Sequence, residues 1–399
     1  MSEAERDAPR GLHLYWDEGV TAYDFGPDHP MDPTRLALTM RLVEAFELTT
    51  APGVTVRAAR PAGDSTLRLV HTAEYVEAVK RVAADPTHVD RRHGLGTEDN
   101  WAFAAQHTAS ALIAGQSVAA AEAVWRGEAG HAVNFAGGLH HAMPDRASGF
   151  CIYNDAALAV ARLLELGAER VAYVDMDVHH GDGVQQAFWN DPRVLTVSIH
   201  EHPATLFPQT GWSTETGGPD APGSAANLPL PAGTGDAGWL RAFHAFVPEL
   251  LGAFRPQVVV SQHGADTHLD DPLAHLAVTL DAQRMVAEAV HDLAHHYADG
   301  RWVALGGGGY AVIDVVPRAW THLVGIAAGR PVDPAAETPE VWRGEVFRLT
   351  GQEGPLLMTD GAKPDWRDFH DHGYDPEDRL DQAVLAARRA VFPHHGLIP

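Results

Sequence analysis

The stretch "RVAYVDMDVHHGDG", residues 170–183, decides which fold class the chain belongs to. An apolar run over residues 171–174 continues without a break into three aspartates and two adjacent histidines. The apolar run is typical of a strand buried on both faces. The ionisable residues that follow it are Asp175, Asp177, His179, His180 and Asp182. So many ionisable side chains at the end of a buried strand indicate a functional site.

Four other strand-like runs also end in unusual polar or glycine residues. They are "HAVNFA" (131–136), "RVLTVSIH" (193–200), "PQVVVSQHG" (256–264) and "RWVALGGGGY" (301–310). Helical spacing of apolar residues is found over 104–124, 155–167 and 280–300. This alternation predicts an α/β fold, a single domain with a central, mainly parallel β-sheet covered by helices on both faces. Ligands bind beyond the carboxyl ends of such strands, where "GGLHHA", "HGADTH" and "GGGGY" fall.

The composition excludes several classes of partner. Lys+Arg 29 against Asp+Glu 53 give a formal net charge of −24 in 399 residues. This charge repels phosphate backbones and anionic lipid, so we expect neither nucleic acid nor a membrane as partner. The single cysteine, Cys151, excludes an intramolecular disulfide and a cysteine-based zinc cage, and its neighbours predict a buried thiol. The N-terminus has no apolar signal segment, so we expect a cytoplasmic protein.

Two regions bear on domain organisation. We predict a main domain over residues 1–330 and a C-terminal extension over 331–399 that packs on the core through Trp342, Phe347 and Trp366. The Pro/Gly-rich stretch 208–235 has the composition of a linker, but strand-like segments continue after it. We therefore interpret it as a long loop over the functional site.

The residues after two of the strands predict a metal site. Asp177 and His179 are two residues apart, so on an extended segment both project to the same side. Asp266 in "HGADTH" is the natural third ligand. Two carboxylates and one imidazole can hold a divalent metal and leave positions for water and substrate, as in a catalytic site. An isolated Asp-x-His is more often a solvated loop, but the additional ionisable residues favour a metal here.

The adjacent histidines His140 and His141 end another strand of the same sheet. A neutral imidazole near a metal-bound water could accept its proton, while a second could donate one to a leaving group. Asp175 and Asp182 could orient the two rings. The other adjacent pairs, 295–296 on a helix and 394–395 near the C-terminus, are interpreted as surface residues.

Together these segments resemble the histone deacetylase family, specifically its bacterial branch of acetoin-utilisation deacetylases. The resemblance covers residues 12–330 in family order. Its segments are "DHPMDPTR", "HTAEYV", "GGLHHA", "SGFCIYND", "VDMDVHHGDGVQQAF", "TVSIHE", "LFPQTG", "SQHGADTHLDDPLAHL" and "LGGGGY". It implies the single-domain α/β fold shared with arginases and the hydrolysis of N-acetyl amides, above all acetyl-lysine in proteins, with release of acetate.

The resemblance also implies roles around the metal. The implied ligands are Asp177, His179 and Asp266. Zinc is the implied ion, and an Asp-Asp-His set suits ferrous iron as well. His141 matches the histidine that activates water, His140 its neighbour in the role of acid or electrostatic helper, and Tyr310 the tyrosine that polarises the acetyl carbonyl. Asp175 and Asp182 match carboxylates bonded to His140 and His141 respectively.

Further matches concern the substrate tunnel and two internal sites. Phe150 and Phe207 match an aromatic pair that lines the acyl-lysine tunnel, although from the residues alone core packing is the first interpretation. Gly149 matches a residue whose backbone meets the substrate amide, and Asp99 in "TEDN" matches a rim aspartate. Arg35 matches an arginine of an internal cavity. The backbone carbonyls of Asp175, Asp177 and His179, together with Ser198, match a structural potassium site.

Several alternatives remain at this point. Asp99 could merely cap a helix that begins near Trp101. Asn100-Trp101 stands where many family members have Cys-Pro, which leaves recognition of a protein substrate open. The partner is therefore an acetylated protein or a small acetylated amine such as an acetylpolyamine, and the oligomeric state is not indicated. A binuclear arginase-type site would need carboxylates at Gly181 and His268. A non-catalytic acetyl-lysine-binding protein would be expected to have lost a ligand, a histidine or the tyrosine, and none is lost.

Overall fold

The computed structural model describes residues 11–399, and its architecture is one parallel sheet between layers of helices. The strands follow the order β2-β1-β3-β8-β7-β4-β5-β6, and every neighbouring pair is parallel. The strands are β1 (Leu12–Tyr15), β2 (Val54–Arg57), β3 (His131–Asn134), β4 (Val171–Asp175), β5 (Val194–Glu201), β6 (Ala225–Leu230), β7 (Val258–Gln262) and β8 (Trp302–Leu305). The predicted fold class is confirmed.

The described helices pack on both faces of this sheet. They are α1 (Thr34–Ala45), α2 (Asp64–Leu67), α3 (Ala73–Ala84), α4 (Gln106–Arg126), α5 (Asp155–Glu165), α6 (Asp182–Ala187), α7 (Asp236–Phe254), α8 (Leu280–Ala298), α9 (Val316–Ala327), α10 (Glu340–Thr350), α11 (Phe369–His372) and α12 (Arg379–Val391). Short 3₁₀ helices cover Glu18–Ala22, Leu48–Thr50, Arg91–His93 and Phe392–His395. Within residues 11–399, no helix is long and apolar enough to cross a membrane.

Strand β4 shows why the central strands are continuously apolar. Ala172 and Val174 pack into the core on one face of the sheet, whereas Val171 and Tyr173 pack into the core on the other. Since successive side chains of a strand point to opposite faces, a strand covered on both sides needs apolar residues at every position.

The five predicted strands are present, but most end before their polar residues. The run at 301–310 is a strand only over Trp302–Leu305, and the glycines after it form a loop. Strands β1, β2 and β6 were not predicted. The interpretation of 208–235 as one long loop is wrong over Ala225–Leu230, which form β6. Pro229 obscured this strand in the sequence, and it is tolerated because β6 lies at the edge of the sheet, with β5 as its single neighbour among the described strands.

The C-terminal segment contacts the sheet-and-helix core at several points. The buried Trp342 donates from its indole N–H to the carbonyl of Leu38, 2.9 Å away. The ring of Trp366 stacks on His244 with an interplanar angle of 6°. The expected packing of Phe347 is wrong, because its side chain is 60% exposed. On α10 the inner face is formed by Trp342 and Val346, and position 347 faces outward.

The topology brings the predicted functional loops together. The neighbouring strands β3, β8, β7 and β4 occupy the middle of the sheet, and the chain passes from β3 to β4 across the two strands between them. All the residues predicted to act around a metal lie at the end of one of these four strands or in the segment that directly follows it. Since all four strands are parallel, the loops meet at one edge of the sheet.

Candidate active site

Three predicted metal ligands meet at the carboxyl ends of β4 and β7. Nδ1 of His179 lies 3.1 Å from Oδ1 of Asp177 and 3.2 Å from Oδ2 of Asp266. One ligand atom from each of the three side chains lies within 4.8 Å of the others. Both carboxylates are completely buried, at 0% exposure. We call these three residues the carboxylate cluster.

The carboxylate cluster fits a divalent cation. Burial and the charge of Asp177 raise the pKa of Asp266 to about 7. A cation between two buried carboxylates would offset both their repulsion and the loss of water. The remaining oxygens are already occupied by backbone donors, with Gly308 N–H 2.7 Å from Oδ2 of Asp177 and Val178 N–H 3.0 Å from Oδ1 of Asp266. Oδ1 of Asp177 and Oδ2 of Asp266 are thereby turned toward His179.

The glycines before Tyr310 serve close approach to this cluster. A Cβ at position 308 would collide with Oδ2 of Asp266, so only glycine lets the backbone N–H of Gly308 reach Asp177. Tyr310 itself is also held in place, because its backbone N–H donates to Oδ2 of Asp271, 2.8 Å away. This run of glycines is therefore a tightly packed loop.

His140 and His141 lie beside the carboxylate cluster, each with its Nδ1 held by a carboxylate. Nδ1 of His140 is 2.8 Å from Oδ2 of Asp175, and Nδ1 of His141 is 2.7 Å from Oδ1 of Asp182. The two Nε2 atoms are 3.0 Å apart, so one donates a single proton to the other. Nε2 of His140 lies 3.8 Å from Oδ1 of Asp177, which places the pair next to the cluster.

The two histidines have opposite electrostatic environments. Burial alone would lower the pKa of His140, but the charges of Asp175 and Asp177 outweigh it and raise the pKa to about 9. Burial, reinforced by the charge of His140, lowers the pKa of His141 to about 4. The proton shared by the pair therefore favours His140, and Nε2 of His141 is an acceptor.

Residues behind the pair were not found by sequence reasoning. The hydroxyl of Tyr173 donates to Oδ2 of Asp175 at 2.7 Å, and it also lies 2.8 Å from Oε1 of Gln262. The side-chain amide of Asn154 donates to the backbone carbonyls of His140 and Ala142, at 3.0 Å each. Gln262 ends β7. Its position at a strand end was the one available signal, because Tyr173 and Asn154 look like core and helix-cap residues.

A cavity of about 210 Å³ leads from the surface to this site. Its lining residues are Asp99, His141, Gly149, Phe150, His179, Leu206, Phe207, Leu273 and Tyr310. The predicted tunnel residues are thus brought together with the predicted catalytic ones, and Leu206 and Leu273 are added. Neither leucine carries a signal in the sequence that separates it from a core residue.

Gly149 and Phe150 adopt unusual backbone conformations on the cavity wall. Both have positive φ, 51° and 66°, and the Phe150 carbonyl accepts a hydrogen bond from the Tyr23 hydroxyl at 2.7 Å. A Cβ at position 149 would lie 2.8 Å from the Phe207 ring, so only glycine leaves this passage open. Positive φ at a phenylalanine is strained and is found mainly at functional sites.

Asp99 lies at the exposed mouth of the cavity, and it does not cap a helix. Helix α4 begins at Gln106 and its N-cap residue is Ala105, six positions further on. Asp99 instead contributes its backbone carbonyl, which lies 3.1 Å from Nε2 of His29. Its side chain is exposed at the cavity rim. The capping alternative is therefore wrong.

Arg35 and Cys151 are both buried, and Cys151 lines a small cavity of about 10 Å³ that also touches Asp177 and His179. The Arg35 guanidinium donates to the backbone carbonyls of Gly307 and Gly309, at 3.0 and 3.1 Å. Burial raises the pKa of Cys151, in agreement with the prediction of a buried thiol. Ser198 is paired with Asp175 across β4 and β5.

A histidine, His268, stands at one of the two positions where a binuclear arginase-type site would need a carboxylate. Nε2 of His268 lies 2.9 Å from Oδ2 of Asp360, and its Nδ1 accepts from the backbone N–H of Asp270 at 3.1 Å. Both ring nitrogens are therefore used away from the carboxylate cluster. Position 181 is a glycine, so the described chain offers neither ligand that a binuclear site would need there.

The sequence profile of the histone deacetylase domain matches residues 29–327. The chain belongs to the histone deacetylase family. It is 42% identical over 322 residues to the acetoin utilization protein AcuC of Bacillus subtilis (strain 168), which covers 80% of this chain and 82% of that protein. It is 36% identical over 332 residues to AcuC of Staphylococcus xylosus, covering 83% and 85% of the two chains.

A third relative, AcuC of Staphylococcus aureus (strain COL), is 38% identical over 321 residues, covering 80% of this chain and 82% of that protein. These findings confirm the resemblance to the acetoin-utilisation branch and support a deacetylase, a hydrolase. Histone deacetylase membership implies a divalent metal, and the carboxylate cluster is a candidate site for it.

Proposed function

We propose that this chain removes acetyl groups from acetyl-lysine side chains of proteins, using one zinc ion. The observation that carries the proposal is the cavity itself. It is lined by the aromatic rings of Phe150 and Phe207 together with His141, His179 and Tyr310 of the candidate site. An apolar passage between two aromatic rings suits the four methylenes of lysine, and the polar residues at its end suit an amide.

The proposed metal ligands are the three residues of the carboxylate cluster. When bound, zinc supplies a Lewis acid that polarises the acetyl carbonyl and lowers the pKa of a water molecule. Ferrous iron suits the same donor set. The side chains that hold the ion are fixed by the backbone N–H groups of Gly308 and Val178, so the site is preorganised.

The histidine pair handles the protons of the proposed reaction. His141 has its Nδ1 bound to Asp182, and its Nε2 takes the proton from water as the oxygen attacks the acetyl carbon. The carbon–nitrogen bond then breaks, and the leaving nitrogen takes a proton from the pair. His140, oriented by Asp175, lies 3.0 Å from His141 and shares that proton. The products are the free amine and acetate.

Tyr310 stabilises the negative charge that develops on the acetyl oxygen. Burial and the charges of Asp266 and Asp177 raise the pKa of Tyr310 well above its usual range. The hydroxyl thus stays protonated and can donate to the oxygen. Its ring packs edge-on against Phe150 with 5.8 Å between centroids, which fixes its direction.

A small acetylated amine, such as an acetylpolyamine, is the second candidate substrate. The observation that favours it is the exposed carboxylate of Asp99, which lines the cavity, next in the chain to the exposed Glu98. A polyamine retains a cationic amine after acetylation of another, and carboxylates at the mouth would attract it. The apolar walls serve either substrate equally.

A substrate panel on metal-defined protein tests the proposal. Metal-free protein is reconstituted with one equivalent of Zn²⁺, or of Fe²⁺ without oxygen, and assayed on an acetyl-lysine peptide and on an acetylated diamine. A higher kcat/KM for the peptide supports the protein deacetylase. A higher kcat/KM for the diamine favours the second candidate, and full turnover in metal-free protein contradicts the metal mechanism.

A structural potassium ion is proposed behind the zinc site, on backbone carbonyls of Asp175, Asp177 and His179 with Ser198. The register that pairs Asp175 with Ser198 supports it. Replacing K⁺ by a bulky organic cation should lower thermal stability and activity together, and a change in neither would contradict it.

A further inference from the structure

A second group of potential metal ligands lies on the other side of the sheet's middle, where the strands begin. His131 begins β3, while His291 and His295 lie four residues apart on one face of α8. One ring nitrogen from each lies within 4.8 Å of the others. We call these residues the histidine cluster. It lies at the amino ends of the strands, whereas the candidate active site lies at the carboxyl ends.

His131 is oriented as a metal ligand would be. Its Nδ1 lies 2.7 Å from the backbone carbonyl of Ala327, so this nitrogen carries the proton and donates it. The ring is buried. The lone pair is then on Nε2, which faces Nε2 of His295 at 3.0 Å. Metal-binding histidines commonly donate their second N–H to a carbonyl or carboxylate in this way.

The other two rings complete the arrangement and leave a way in for an ion. Nδ1 of His291 lies 3.3 Å from Oδ1 of Asp292, which leaves its Nε2 for a ligand. His295 is exposed, so the cluster is open to solvent on that side. The ring of Trp302 packs edge-on against His131 and His291, with 5.6 Å between centroids in both cases. The tryptophan thereby limits rotation of these rings.

We propose that His131, His291 and His295 form a second metal site, for Zn²⁺ or a similar borderline transition-metal ion. Three neutral imidazoles suit zinc, nickel, cobalt or copper and not magnesium or calcium. With zinc–nitrogen bonds of about 2.0 Å, tetrahedral geometry places ligand nitrogens about 3.3 Å apart. The His131–His295 separation of 3.0 Å would have to open by only about 0.3 Å. The bound ion would join α8 to β3.

Metal stoichiometry tests the proposal. Protein dialysed to equilibrium against buffered Zn²⁺ should hold about two ions per chain, one in the carboxylate cluster and one in the histidine cluster. Asp266→Ala and His295→Ala should each hold about one, and the double variant none. His296→Ala is the matched control, since His296 is exposed on the same helix and lies outside the cluster. It should hold two.

Two results would overturn the proposal. One is that both the His295→Ala and the His291→Ala variants still bind a second equivalent of Zn²⁺ per chain. The other is an equal loss of zinc in His295→Ala and His296→Ala, which would indicate general binding by surface histidines. Because His295 is exposed, its replacement leaves the core intact, and circular dichroism checks this. The result is also separable from the deacetylase proposal, since the second equivalent is counted without a substrate.

Discussion

The carboxylate cluster and the histidine cluster lie at opposite ends of the strands of the same sheet, and they differ in charge. Asp177 and Asp266 are acidic groups with no exposed surface. In the histidine cluster, burial lowers the pKa of His131 to about 4, so the buried ring carries no charge. Two close, buried carboxylates repel each other, whereas two neutral imidazoles can hydrogen-bond to each other.

This difference predicts how strongly each site depends on its ion. A cation in the carboxylate cluster offsets like-charge repulsion and lost hydration, so binding there should be tight and coupled to stability. The histidine cluster is already satisfied by the contact between His131 and His295, with Nε2 atoms 3.0 Å apart. A metal must replace that contact, so its net effect should be smaller. The following predictions test this ranking.

The largest effect is expected for Asp266→Asn. The substitution keeps the shape but removes a ligand charge, so metal should be lost and kcat should fall by more than the roughly 10–100-fold that loss of a residue behind a ligand costs. Metal content and kcat are measured on the same sample. Asp270→Asn is the control, because Asp270 lies exposed in the same loop. An active, metal-free Asp266→Asn protein would refute the ranking.

Tyr310→Phe should affect the reaction without affecting either ion. It removes one donor to the developing oxyanion, so kcat should fall by about 10²–10³ while zinc content and melting temperature stay constant. Loss of zinc in this variant would mean that Tyr310 builds the site, and unchanged kcat would contradict its assigned role.

Asp99→Asn should separate the two candidate substrates above the carboxylate cluster. A carboxylate at the mouth can accept hydrogen bonds from peptide N–H groups, and such charge-assisted bonds contribute about 1.5–3 kcal/mol to binding. Without the charge, kcat/KM for an acetyl-lysine peptide should therefore fall roughly 10- to 150-fold. An acetylated diamine has no such backbone. Glu98→Gln serves as the neighbouring control. An equal loss of kcat/KM on both substrates would favour an acetylpolyamine as the substrate, and it would contradict a hydrogen bond from the peptide backbone to Asp99.

The smallest effect is expected at the histidine cluster. In Asp266→Ala protein, Zn²⁺ at a hundredfold excess over its Kd for the histidine cluster should add about 2.7 kcal/mol to the free energy of unfolding. In a chain of this size, that increase raises Tm by at most a few degrees. Differential scanning calorimetry measures the shift. Adding His295→Ala should abolish it. A larger shift than that caused by metal in the carboxylate cluster would reverse the ranking.

The sequence predicted the central strands well and the edges of the sheet poorly. Strands β4 and β7 are apolar on both faces, which is a local pattern that composition reveals. Strand β2 is largely exposed, and β6 contains Pro229 within a Pro/Gly-rich stretch. An edge strand is stabilised by its neighbour, and the neighbour is not visible in the local sequence.

For the site, the sequence and the family resemblance supplied the residues, and the structure supplied their distances. Asp177 and His179 could be paired because they are two residues apart. Tyr173, Gln262 and Leu273 could not be assigned, because nothing in their local sequence distinguishes a residue that supports or lines the site from one that fills the core.

The sequence by itself determined the fold class and predicted candidate site residues at the ends of β4, β7 and β8, because periodicity and short motifs are local properties of the chain. Only the tertiary structure decided that His131 meets His291 and His295, since 160 residues separate the first two and no pattern connects them. It also decided that the glycines before Tyr310 are closely packed against Asp266. Contacts between distant segments depend on how the strands are ordered in the sheet, and that order is set by the packing of the whole domain.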